Sequence, residues 1–128
     1  MPVSVSIDSR RKLVITTYSG LVTDEDVARQ ISEIARQAPY GGEYRAITDF
    51  TQVTQFEIST EQIRRVAESK SPLEKAQRVM VAPSDEAYGT SRMFQTLAGH
   101  TRPNISVVRN LDEAYKVLGI SNENCKGA

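Results

Sequence analysis

The sequence predicts an α/β domain, a mixed and mostly parallel sheet of about five strands flanked by about four helices in the order β-β-α-β-α-β-α-β-α. Three observations carry this. The first two strand-like segments, Val3 to Ile7 and Leu13 to Tyr18, are separated only by a short polar turn. Strand-like and helix-like segments then alternate three times, the pattern of βαβ crossovers. Finally, Val79-Met80-Val81-Ala82 is a short, wholly apolar run, as in a strand covered on both faces.

Val3, Val5 and Ile7 alternate with Ser4, Ser6 and Asp8, which predicts a half-buried first strand. Asp8 to Lys12 reads as a turn, and Leu13-Val14-Ile15-Thr16-Thr17-Tyr18, rich in β-branched residues, as the antiparallel partner, ended by Gly20. Thr23 opens a helix with Val27, Ile31, Ile34, Ala35 and Ala38 on one face. Asp24, Glu25 and Asp26 suit its dipole, and Val22 and Val27 occupy the staple positions. Pro39 and Gly41-Gly42 stop it. Arg45 to Phe50 reads as the third strand, followed by a short polar loop. Ser59 caps the next helix, with Gln62 at the capping-box position, Ile58 facing Ile63, and Ile63, Val66 and Ala67 turned inward. A connector over 70–77 contains Pro72. Ser84 starts a helix reaching about Gly99 with Ala87, Ser91, Phe94 and Ala98 as its core stripe. Ile105 to Val108 forms the last strand. Asn110 caps a final helix carrying Leu111, Ala114, Tyr115 and Leu118, with Glu113 at the box position and Gly119 as the stop. A single domain over 3–119 with a mobile tail over 120–128 is the predicted organisation.

Sixteen basic and sixteen acidic residues cancel, so no global field favours nucleic acid or an anionic membrane. No segment has the length of a membrane span, and the first residues lack a signal pattern. The one cysteine, Cys125, excludes an internal disulfide and makes the reducing cytoplasm the expected location. With one histidine and neither CxxC nor HExxH, neither a structural zinc nor another cofactor is expected. Eleven arginines against five lysines favour planar pairing with carboxylates or phosphates.

Ligands of open α/β sheets gather beyond the C-terminal ends of the parallel strands. That rule selects Asp49, Thr51, Ser59, Thr60, Ser84, Tyr88 and Arg92 as candidate binding residues for a protein partner or a small anionic or apolar ligand. Ser59 and Thr60 read either as a helix cap or as a phosphorylatable hydroxyl whose added charge the helix dipole would favour. Asp49 reads as a ligand contact or as the acceptor of an Asx-turn. Tyr88, Arg92 and Gln95 share one flank of their helix, either gripping an anion or pairing with neighbouring groups. Met93 and Leu97 suggest a homodimer face, or simply isolated apolar residues. His100 lies past a helix C-terminus with no nucleophile motif near it. GxSxG, P-loop and GxGxxG are all absent from the sequence, so a non-catalytic role is expected.

Three strings, Thr48-Asp49-Phe50-Thr51-Gln52-Val53, Ala87-Tyr88-Gly89-Thr90-Ser91-Arg92-Met93-Phe94 and Asn110 to Gly119, resemble SpoIIAA-like domains. These form a branch of the STAS superfamily (sulphate transporter and anti-sigma factor antagonist) that is also compared with CRAL-TRIO lipid-transfer domains. The resemblance spans about Val3 to Gly119. It implies a small mixed sheet flanked by helices and a regulatory switch in which a serine at the start of the helix after the third strand is phosphorylated. Ser59 falls near that place. Where the superfamily's antagonists read Asp-Ser-Ser-Gly, this chain reads Glu57-Ile58-Ser59-Thr60-Glu61, with glutamate in place of glycine. The CRAL-TRIO comparison implies the alternative of a small-molecule or lipid carrier.

Overall fold

A computed structural model describes residues 3–40, 43–73 and 75–120. The Gly41-Gly42 stop and the tail from residue 121, including Cys125, lie outside the described residues. The elements are β1 (Val3–Asp8), β2 (Leu13–Thr23), α1 (Asp24–Arg36), β3 (Arg45–Glu57), α2 (Thr60–Glu68), β4 (Arg78–Val81), α3 (Asp85–Leu97), β5 (Ile105–Val108) and α4 (Leu111–Leu118). They build one five-stranded sheet in the order β1-β2-β3-β4-β5. β1 runs antiparallel to β2, and every later pair is parallel. The predicted fold class and element order are those of the molecule.

The residues packed together show which helix covers which face. Tyr18, Phe50 and Met80 meet Ala67 of α2 and Ala87 of α3, while Val14 meets Ile34 of α1. Leu13, Ile47, Val79 and Val81 point the other way, onto Ala114, Tyr115 and Leu118 of α4. The sheet is thus covered by α1, α2 and α3 on one face and by α4 alone on the other. Burial on both sides explains why all four residues of β4 are inaccessible.

Two strands run further than their patterns predict. Gly20 does not end β2; it sits inside the strand with φ of +66°, and the ladder to β3 shifts register on either side of it. β3 correspondingly continues through Thr51–Glu57, the segment read as a loop. Its pairing with β2 takes up two extra residues, one between Asp49 and Gln52 and one between Val53 and Gln55. Each bulge turns the strand by one residue. Phe50, Val53 and Phe56, spaced by three, therefore all face the same core. Tyr18 stacks on Phe50 and Phe50 meets Phe56 edge-on, each pair with ring centroids 5.3 Å apart.

The helix ends follow the predicted chemistry with differences in detail. Thr23 and Asp26 form a full capping box on α1. Ser59, Ser84 and Asn110 cap the other three helices. Gln62 leaves its box position to donate to the Asp24 carbonyl, and Glu113 accepts from the amide of Arg109 instead of the cap. Gly119 ends α4 in the left-handed conformation, and Ile120, assigned to the tail, donates to the Tyr115 carbonyl and packs against the α4 core.

Ile47 is 1% exposed between β2, β4 and α4, whereas Leu21 is 43% exposed. Ile47→Ala is expected to cost about 3 kcal/mol and Leu21→Ala less than about 0.5 kcal/mol in chemical denaturation. Equal effects would contradict the assignment of faces.

Candidate functional site

A cavity of about 100 Å³ opens between the sheet and the helices that cover its first face. Thr48, Phe50 and Met80 form its floor, Ile31 and Ile34 of α1 one wall, and Ile63 and Val66 of α2 the roof. α1 lies against β1 and β2, while α2 leans on α3, so the two helices diverge above β3. Their N-terminal ends are clasped together. The Asp24 carboxylate accepts from both the amide (2.8 Å) and the hydroxyl (2.9 Å) of Ser59, and the Gln62 side chain donates to the Asp24 carbonyl at 3.1 Å. The helices are thus joined at one end and apart along the cavity.

The lining is apolar except for a few placed groups. Tyr18 donates to the Gln30 side-chain oxygen, and the Gln30 amide donates to Thr16 at 3.3 Å. Burial, with the Asp26 charge adding to it, holds the Tyr18 phenol above its usual range, so it is a neutral donor. At the other end stand two buried guanidiniums, Arg78 from the first residue of β4 and Arg102 from the turn before β5. Arg102 is anchored on the C-terminal end of α2. It donates to the Ser69 and Ala67 carbonyls at 3.0 and 3.4 Å, and its guanidinium lies 5.7 Å from the centre of the Phe94 ring. Arg78 donates to the Leu73 carbonyl at 2.8 Å, and its Nε is buried without an acceptor. Burial first, and the neighbouring Arg102 charge second, pull the Arg78 guanidinium down to about 10, still cationic at neutral pH.

The residues selected from the sequence do not form this site. Asp49 is buried in β3 on the face shared with Ile47, away from the cavity, and accepts from the amide of Thr51 at 2.8 Å. That is the Asx-turn reading, here used to hold a bulge. Ser84 caps α3 by accepting from the Ala87 amide. Tyr88 lies between two arginines, with Arg109 4.1 Å and Arg92 5.9 Å from its ring centre. Arg109 in turn pairs with Asp85 at 3.3 Å, so Tyr88 and Arg92 belong to a surface cluster satisfied from within the chain. Thr60 is the exposed first residue of α2. Ser59 unites the cap with the clasp, since its hydroxyl accepts from the Gln62 amide at 3.0 Å while donating to Asp24. Among the described residues, no group of three or more His, Cys, Asp or Glu is placed to hold a metal ion.

Sequence reasoning did not select Arg78, Arg102, Tyr18, Gln30 or Thr48. Arg78 left one signal, a charge two residues before Met80 and in phase with it, at the edge of an apolar run. No protein-family model matches the chain, and no curated protein matches it.

The clasp predicts an unusual response at the cap. Aspartate is ordinarily as good an N-cap as serine, but here it would face Asp24. Ser59→Asp is expected to destabilise the fold by about 1 kcal/mol, and the loss should largely disappear in an Asp24→Asn background, as a double-mutant cycle would read. Additive effects would show that the two groups do not interact.

Proposed function

We propose that the chain is a non-catalytic binding module that takes a small apolar molecule between α1, α2 and the sheet. One observation carries this reading. The cavity is apolar on three sides, and closely packed interiors rarely leave such volume unfilled. Its size is close to that of the roughly 150 Å³ cavities that accept a benzene ring, so the buried part of the ligand is about a short acyl chain or one aromatic ring. This is the carrier role implied by the CRAL-TRIO comparison, scaled down to a ligand much smaller than a membrane lipid. Kinship with SpoIIAA-like domains is part of the proposal, supported by the three sequence strings and by a strand and helix order of the kind the resemblance implies.

A second reading, a regulatory module working through a protein partner, is favoured by the position of α2. Ser59 and Thr60 stand exposed at the end of the same helix that roofs the cavity. Ligand occupancy and partner contact would then share one element, and the clasp to Asp24 would be what each of them disturbs.

Titration with 1-hexanol and benzyl alcohol, followed by methyl NMR, tests the binding reading. The expected result is saturable shifts at Ile31, Ile34, Ile63 and Met80, abolished when Val66→Trp fills the space. Shifts scattered over the surface, or none with any apolar probe, would overturn it.

A further inference from the structure

We infer that the cavity is a site for a small apolar carboxylate whose anionic head is gripped by Arg78. The inference rests on the binding reading above and names the class of ligand.

Arg78 holds donors for which the described residues provide no acceptor. A guanidinium carries five N–H donors in a fixed fork. Here one hydrogen bond is made, from Nη2 to the Leu73 carbonyl. Nε–H has no acceptor although it is shut away from water. Among the described residues, no carboxylate forms an ion pair with Arg78. Buried charges are ordinarily paired, and an unsatisfied buried donor is the arrangement that folded chains avoid. Arg78 is 8% exposed, so little of its guanidinium meets solvent.

Position supplies the second part. β4 pairs with β3 so that Arg78 lies opposite Ala46 and Met80 opposite Thr48. In a parallel pair such residues share a face, which puts the guanidinium beside the cavity floor. It lines the same wall as Arg102 and Lys70, so positive charge gathers at this end. Away from this end the lining is mostly apolar, with Val27, Ile31, Ile58 and Ile63 around the neutral Tyr18–Gln30 pair. A molecule matching both ends has an apolar body and one anionic head. The planar fork favours carboxylate, which it meets with two parallel N–H···O bonds. A phosphate monoester would bring two charges and three further acceptors into a space this small, with few remaining donors to satisfy them. The geometry therefore points to a monocarboxylic acid with about a four- to six-carbon chain or one aromatic ring.

The test compares acid with amide of the same shape: hexanoate against hexanamide, and phenylacetate against phenylacetamide, by calorimetric and NMR titration. The expected result is acid binding about tenfold or more tighter than the amide, a preference that vanishes in Arg78→Met. In the wild-type protein the Arg78 guanidinium N–H resonances should move downfield on addition of the acid alone, a readout that does not depend on how the variant folds. Equal affinity for acid and amide, or unmoved Arg78 guanidinium resonances, would overturn the carboxylate assignment and leave the apolar cavity standing. Failure of all four compounds and of the neutral alcohols would remove the cavity reading itself.

Discussion

Strands β2 to β5 are laid down in chain order, each parallel to the one before, so every crossover steps the same way across the sheet. Crossovers of this kind are right-handed almost without exception, and three in one direction place their helices on one face. Each crossover advances by one strand spacing, about 4.8 Å, whereas packed helices stand about 8–10 Å apart. Three helices cannot all settle above successive intervals. α1 is displaced outward over β1 and β2, α3 toward β5, and α2 is left leaning on α3 above the middle of the sheet. The cavity is the space this mismatch leaves. On the other face α4 has no such competition and packs closely on Leu13, Ile47 and Val79.

The same constraint decides what could be read from the sequence. Element identity was legible because local signals agree with the fold: alternation in β1, the Thr23 cap and acidic first turn of α1, and the unbroken apolar run of β4. The length of β3 was not. Thr51 to Glu57 shows neither a period of two nor a turn, because two bulges reset which face each residue takes. Only the partner strand explains why Phe50, Val53 and Phe56 share a core. Arg78 and Arg102 were hidden for a different reason. Locally, one reads as the flank of a strand and the other as part of a turn before Pro103. Their meeting is a product of the β3–β4 register and of the way the chain leaves α3. Residues chosen by the strand-end rule fell instead on a bulge of β3, on helix caps and on a surface cluster, since the extended β2 and β3 carry that end of the sheet past the cavity.

Ser59 shows how one side chain can serve local and tertiary structure together. As a cap it satisfies an amide of α2, and through Asp24 it fixes the start of α2 to the start of α1. Negative charge at a helix N-terminus is ordinarily favourable, and the carboxylate of Asp24 already supplies it there. A second negative group on Ser59 would compete with it and load the clasp. A charge-driven change at this position would therefore act on the angle between α1 and α2, and hence on the cavity they border, more than on either helix alone.

Stability alone gives no account of Arg78. Replacing buried ionic groups with well-packed apolar residues of similar volume is often neutral or stabilising, and the position lies in phase with Met80, where Leu or Met would extend the same apolar floor. The guanidinium is instead held beside a second one, with its own charge disfavoured by burial and by that neighbour. Arg102 has a structural task, since it closes the C-terminal end of α2 through the Ala67 and Ser69 carbonyls. Arg78 makes one bond to Leu73 and closes no helix end. An anion arriving at Arg78 would offset the repulsion from the neighbouring Arg102 charge and give Arg78 the counter-charge it lacks among the described residues.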